Sequence, residues 1–336
     1  MTLTVHTLSL TPPQKRAARR VNAALALTPR LKPAGWRLAI GQRLNGVLSQ
    51  AAGVVTEAAL KRRGVRLSAA TIPGPGGALG VRLLQPPGPA RALVVDLHGG
   101  GWVVGSAALN DRLTGHLAEA GFAVASIDYR LLDEGRGVWM PDAVADCVAA
   151  LRWALGEGAR QFSTNRVFVI GESAGAHLAA LAMLALRDSI AVALPAGCIF
   201  VQGVFDLSGT PSVRSAGPET LLFDGPNLER DLGRLTPERD EAARKQPDVS
   251  PLYADLTRMP PALFVIGDMD PFQDDSRLMA ERWAEVASTT RLDVPDAPHG
   301  FQHFGAPTAA LAQAFIREWI AAQLGNEPLS VENPSA

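Results

Sequence analysis

From about residue 92 onward, short apolar runs alternate with amphipathic stretches, and this alternation limits the architecture more than any other feature of the chain. "ALVVDLHG" (92–99), "FAVASIDY" (122–129), "RVFVIGES" (166–173), "AGCIFVQG" (196–203), "PALFVIGD" (261–268) and "TRLDVPD" (290–296) read as strands. "SAALNDRLTGHLAEAG" (106–121), "MPDAVADCVAALRWALGEG" (140–158), "AGAHLAALAMLALRD" (174–188) and "TAALAQAFIREWIAAQLG" (308–325) carry helical periodicity, with Pro141 at one start and Gly121 at one end. Strands apolar on both faces need cover on both sides. Helical crossovers provide it, so the reading is α/β with a mostly parallel sheet flanked by helices.

Three segments depart from this rhythm. Residues 1–60 look helical, in "PPQKRAARRVNAALAL" and again in "GWRLAIGQRLNGVLSQAAG", with a break near Pro29 and Pro33. "VRLSAATIP" and "ALGVRLLQPP" are β-like and are joined by the turn "GPGG" (74–77), as in a hairpin. Residues 206–250 form a long polar connection with two weak helical patches. A connection of that length inside a compact domain is usually functional. The expected organisation is therefore an N-terminal helical cap segment (1–60), a catalytic core (61–205 and 251–325), a cap insertion (206–250) and a tail (326–336).

Charge and cysteine usage narrow the class. Lys and Arg total 32 against 33 Asp and Glu, so no basic field invites nucleic acid or an anionic membrane. Two distant cysteines, Cys147 and Cys198, make neither a disulfide framework nor a zinc site, and a reducing, cytoplasmic setting is expected. "KRAARRVNAALALTP" (15–29) has a basic run before an apolar one, but Asn22 interrupts it and Pro29 ends it, so an amphipathic helix is expected rather than a signal peptide. No stretch approaches the ~18 apolar residues of a membrane span.

The chemistry gathers at strand ends. "GESAG" (171–175) has the spacing G-x-S-x-G between a strand and a helix, where small neighbours permit a sharp turn that lifts the serine hydroxyl out of the fold. Ser173 is thus a candidate nucleophile, the plainer alternative being an N-cap. "HGGGWVVGS" (98–106) follows a strand, and its glycines leave backbone N–H groups open to a ligand. Fixed donors aimed at a developing oxyanion contribute about 3–4 kcal/mol each, and the candidates are Gly100 and Gly101 with Ala174 as the third. His98 is read as a brace for that loop.

A reactive serine needs a base, and the base needs an orienting carboxylate. Of six histidines, only His299 and His303 follow Ser173 with enough intervening chain to return to it. His299, in a loop before Gly300, is the stronger candidate and His303 the competitor, while His177 is expected to pack in its helix. "LFVIGDMDPFQDD" (263–275) offers the acid: Asp270 beyond the strand, Asp268 as runner-up, and Asp274 and Asp275 as surface or helix-start charges. Glu172 precedes the nucleophile and has no place in that order. If buried, it must find donors, and it is expected to support the elbow or the acid and histidine loops. Trp102, Phe205, Phe272 and Phe301 lie beside the motifs and are candidates for an apolar pocket, with plain core packing as the equal alternative.

These segments together resemble the hormone-sensitive-lipase family of α/β-hydrolases, bacterial carboxylesterases with an HGGG loop. "HGGGW" (98–102), "DYRL" (128–131), "GESAGA" (171–176), "DMDPFQDD" (268–275) and "HGF" (299–301) carry the likeness, over about residues 60–325. The resemblance implies an eight-stranded sheet with a helical cap, a triad of Ser173, Asp270 and His299, and oxyanion donors Gly100, Gly101 and Ala174. It implies cleavage of short- to medium-chain carboxylic esters through an acyl-enzyme, with no cofactor and no metal. Alternatives on the same scaffold are a deacetylase, an amidase, a lipase or a non-catalytic binding protein. A homodimer through an edge strand near 290–295 also follows from the family habit. "LDEGRGVWMPDAVADC" (132–147) departs from the usual family run, which makes Arg136 and Trp139 candidates for an unusual pocket wall.

Overall fold

The structure is a computed structural model, and it describes residues 2–30, 56–189 and 193–325. The helix expected over 35–53 and the tail 326–336 lie outside the described residues. Among the described residues, nine strands form a single sheet: β1 (Leu3–Thr7), β2 (Arg66–Gly74), β3 (Gly77–Gln85), β4 (Leu93–Leu97), β5 (Ala123–Asp128), β6 (Val167–Glu172), β7 (Gly197–Val201), β8 (Ala262–Gly267) and β9 (Thr289–Val294). Their order is β1-β9-β8-β7-β6-β4-β5-β3-β2. The seven from β1 to β5 are parallel, and β3 runs antiparallel to both of its neighbours. The hairpin expected at "GPGG" is present, with Gly74 opposite Gly77.

Among the described residues, six longer helices flank the sheet: α1 (Pro12–Ala26), α2 (Asp111–Glu119), α3 (Met140–Trp153), α4 (Ala174–Arg187), α5 (Gln273–Ala284) and α6 (Pro307–Gln323). Strand alternation divides the core between the two faces. Leu93, Val95 and Leu97 of β4 and Val167 and Val169 of β6 face one apolar cluster. Val94, Phe168 and Ile170 face the other. Full burial on both sides is why these strands read as continuous apolar runs.

Two expectations change at the N-terminal end. The chain opens with a strand, not a helix, so the sheet has nine strands rather than eight. That strand, β1, pairs in parallel with β9, from Leu3 opposite Thr289 to Thr7 opposite Asp293. The strand near 290–295 is therefore internal, and its backbone donors and acceptors already have partners on both sides. The proposed dimer edge is closed. The helix that follows is the one expected: Thr11 caps it in a reciprocal box with Gln14, and Pro12 occupies its first position.

β4 is the switch point of the sheet, with β5 on one side and β6 on the other. Loops leaving the carboxyl ends of β4 and β6 diverge there, which opens a crevice suited to a ligand. The insertion 206–250 folds as three short helices, Pro211–Arg214, Leu228–Gly233 and Glu241–Arg244, separated by turns. Its base is closed, because the Leu207 N–H donates to Ser250 Oγ at 2.8 Å.

Candidate active site

Ser173 sits between β6 and α4 at φ 53° and ψ −118°, a conformation L-residues adopt only under constraint. The flanking glycines provide that constraint. A methyl on Gly175 would overlap the Leu97 and His98 carbonyls, and one on Gly171 would overlap the carbonyl of Gly175. Helix, elbow and β4 thus approach more closely than any side chain permits. The Ser173 side chain makes no cap bond to its helix, so the N-cap alternative is not realised.

The hydroxyl is engaged elsewhere: His299 Nε2 lies 2.8 Å from Ser173 Oγ. On the far side of the ring, His299 Nδ1 lies 3.0 Å from both Asp270 carboxylate oxygens. Asp270 Oδ1 also accepts the Phe272 N–H at 2.9 Å, which fixes the carboxylate plane. Burial by itself would depress the His299 pKa, but the Asp270 charge and hydrogen bond outweigh it and hold the pKa above its ordinary value. Asp268 is exposed and turns to the Ala297 N–H, away from the imidazole. Asp275 is no surface charge: fully buried, it accepts the N–H groups of Phe205 and Asp206 and the Thr210 hydroxyl at the start of the insertion.

The glycine loop runs beside the elbow. Gly100 and Gly101 have φ of 126° and 57°, and a methyl on Gly100 would overlap the Val104 carbonyl. Among the described residues their N–H groups donate to no partner, and Gly101 is exposed. The Ala174 N–H is the first of α4, where helical donors lack intrahelical acceptors. His98 braces the loop: it is buried, its Nδ1 donates to the Gly99 carbonyl at 2.7 Å, and its ring stacks on Tyr129 at 4.3 Å. The Tyr129 hydroxyl donates to the His98 carbonyl at 2.7 Å. Arg130, next in "DYRL", is bound by both oxygens of Asp146 on α3 at 2.9 Å.

Glu172 is buried at the end of β6, and its partner is His303, whose Nε2 lies 2.9 and 2.7 Å from the carboxylate oxygens. His303 is therefore no rival base but the counter-ion of Glu172. Burial disfavours charge on both groups, yet their mutual attraction prevails: the Glu172 pKa is lowered and the His303 pKa is raised. The carboxylate also lies under Gly99, so the pair fastens the elbow, the glycine loop and the histidine loop together.

The four aromatic candidates have different fates. Phe205 is fully buried with Phe200 and Phe264, and Phe301 is buried in the cluster on the opposite face, so both are core. Trp102 is buried behind the glycine loop. Phe272 does reach the site, edge-on to His299 at 5.2 Å. Sequence reasoning missed Phe223, an insertion residue that packs edge-on against both His299 (5.1 Å) and Phe272 (5.6 Å). Only the fold of the insertion brings it there. Trp139 is 40% exposed and, with Met140, Leu235, Pro237 and Val249, lines a cavity of about 400 Å³ under the insertion, while Arg136 points to solvent. No cluster among the described residues could hold a metal ion.

This fold and site define a serine hydrolase of the α/β class, and the comparisons agree. Residues 94–303 match the family described as the alpha/beta hydrolase fold. An acetyl-hydrolase of Streptomyces hygroscopicus is 34% identical over 66% of this chain and 74% of its own length. Esterase LipW from Mycobacterium marinum superposes with a TM-score of 0.78 at 26% identity, over 94% of this chain and 96% of its own. A hormone-sensitive lipase from a metagenome library superposes with a TM-score of 0.72 at 26% identity, over 94% of this chain and 99% of its own. The chain belongs to the α/β-hydrolase family, in its hormone-sensitive-lipase group, and is a carboxylic ester hydrolase.

Proposed function

We propose that the chain is a serine carboxylesterase acting on short- to medium-chain acyl esters, with Ser173 as nucleophile, His299 as base and Asp270 as the orienting acid. The observation that supports this most is the unbroken hydrogen-bonded line from Asp270 through His299 to Ser173, beside the Gly100 and Gly101 N–H groups, which donate to no partner among the described residues. Ser173 Oγ attacks the ester carbonyl as its proton passes to His299 Nε2. Gly100, Gly101 and Ala174 donate to the oxyanion, the C–O bond breaks, and the alcohol leaves with the proton from His299. Water then loses a proton to His299, attacks the acyl-enzyme, and the acid departs as Ser173 regains its proton. Asp270 stabilises the imidazolium in both halves.

Phe223 and Phe272 crowd His299, which favours small acyl or alcohol groups, and a relative is an acetyl-hydrolase. Turnover of p-nitrophenyl esters is expected to peak at or below about six acyl carbons, with anilide analogues inert. A maximum at twelve carbons or more, or anilide rates matching the esters, overturns the substrate assignment. The buried, unpaired Cys147 and Cys198 accord with a reducing compartment, and we place the enzyme in the cytoplasm. Among the described residues, no helix is long and apolar enough to cross a membrane.

The raised His299 pKa predicts that kcat/KM climbs with pH through an apparent value above 6.5, because the base must be neutral. Glu172 contributes to that elevation. Glu172→Gln is expected to move the ascending limb to lower pH and to reduce kcat on the order of tenfold, through loosening of the histidine loop. The stability consequence has a definite sign. His303, raised in the folded state, stabilises fully below its ordinary 6.5 and less as pH rises through its folded value. Glu172, lowered, stabilises above its ordinary 4.5 and less as pH falls through its folded value. The melting-temperature deficit of Glu172→Gln is thus greatest between those two pH values and fades toward alkaline pH. Complete loss of turnover in a normally folded variant would place Glu172 in the chemistry itself.

A further inference from the structure

The residue after the oxyanion glycines is held in an unfavourable state. Trp102 has φ 65°, the third consecutive residue in left-handed or neighbouring space, where any residue other than glycine is strained. The loop has no regular secondary structure to impose this. The Val103 and Val104 N–H groups close a turn onto the Gly100 carbonyl, and two further polar contacts fasten Trp102 itself: its carbonyl accepts the Leu132 N–H at 2.9 Å, and its indole N–H donates to His177 Nδ1 at 3.1 Å. The indole meets the imidazole edge-on, at 87° and 5.2 Å.

His177, one turn into α4, was expected to be a packing residue, yet both of its ring nitrogens are used. Because Nδ1 accepts from Trp102, the ring proton sits on Nε2, and it donates to the Val249 carbonyl at 2.7 Å. Burial depresses its pKa to about 4, so the ring stays neutral and a single tautomer is retained. Val249 ends the 206–250 insertion next to Ser250, whose hydroxyl accepts the Leu207 N–H and donates to the Arg244 carbonyl. The insertion thus touches the site at two points: Phe223 against His299, and Val249, through one histidine, against the oxyanion loop.

We propose that His177 is a positioning residue that relays the seated insertion to the oxyanion loop, so that the Gly100 and Gly101 N–H groups are aimed only when Val249 is in place. This rests on the reading of those glycines as oxyanion donors. Loss of the relay leaves the indole N–H buried without an acceptor and frees the strained loop to relax. His177 meets Ser173 through its backbone N–H, which donates to the Ser173 carbonyl at 3.2 Å and is kept when the side chain is changed, so ground-state binding is little altered while stabilisation of the tetrahedral state falls.

The test compares His177→Leu, Trp102→Phe and the double variant, each confirmed folded. Each single change is expected to lower kcat by 10- to 100-fold with KM within about threefold, and to weaken a trifluoromethyl ketone analogue by the same factor as kcat/KM. The double variant is expected to be no worse than the poorer single, since both break one bond. Amide exchange in 246–250 is expected to rise in His177→Leu. If His177→Leu does not fold, Trp102→Phe, which removes the indole N–H and keeps a ring, carries the kinetic test. Unaltered kcat and analogue affinity in a folded variant, or multiplicative losses in the double, overturn the relay. A wild-type enzyme that fails to bind the analogue while turning over ester would instead refute the oxyanion assignment, so the two failures are distinct.

Discussion

Ser173→Ala is expected to reduce ester turnover by about 10⁴- to 10⁶-fold while leaving the melting temperature nearly unchanged. The loss is large because Ser173 Oγ is the oxygen that stands 2.8 Å from the imidazole that Asp270 orients. The stability change is small for a separate reason. The strain at φ 53° belongs to the backbone and is fixed by Gly171 and Gly175, so alanine inherits it rather than adding to it. The variant loses one hydrogen bond to His299 and no cap, because Ser173 makes no side-chain cap bond. Kinetics with p-nitrophenyl acetate and thermal melting of the same preparation check both halves. Turnover within a factor of ten of the wild type would remove Ser173 from the mechanism.

Asp270→Asn is expected to cost about 10⁴-fold in kcat without disturbing the fold, through a tautomer error. The Phe272 N–H donates to Asp270 Oδ1 and would select the amide oxygen of asparagine for that place. The amide nitrogen would then occupy the Oδ2 position and donate to His299 Nδ1. That forces the ring proton onto Nε2, the atom that must accept from Ser173. The variant also removes the largest influence raising the His299 pKa, so the ascending limb of residual activity is expected at lower pH than in the wild type. A residual rate above a tenth of the wild type, or an unmoved limb, would show that Asp270 is not the orienting acid.

The parts of this site that could be read in advance are those whose chemistry is written in neighbouring residues. "GESAG" encloses its serine in glycines because the helix and β4 leave no room for a Cβ, a local requirement with a local signature. The same holds for "HGGGW", where the open N–H groups follow from the absence of side chains. Asp270 and His299 are more distant in sequence, but each lies just past a strand end, and chain order then restricts the choice. The strands of the sheet were legible because burial on both faces leaves continuous apolar runs. β1 was not: "LTVHT" is a half-exposed edge strand whose pattern is too short and too polar to stand out.

What remained hidden depends on contacts across more than a hundred residues or between loops without periodicity. Glu172 announces only that a buried carboxylate needs a partner. That the partner is His303, 131 residues away, follows from the way the histidine loop returns to the end of β6. His177 reads as an ordinary helix residue until the insertion returns Val249 to one nitrogen and the glycine loop brings Trp102 to the other. Asp275 resembles a helix-start charge, yet it accepts three hydrogen bonds because the insertion begins directly against it.

By itself, the sequence determined the fold class and marked the elbow, the glycine loop and the candidates Ser173, Asp270 and His299, since steric room, strand burial and chain order leave marks within a few residues. Only the tertiary structure decided how those parts are held: which histidine neutralises Glu172, which aromatic rings crowd His299, and what ties the insertion to the glycine loop. The physical reason is that hydrogen bonds and ring contacts depend on distance in space. A chain of 336 residues offers many donors, acceptors and rings of the right type, and the fold selects which of them meet.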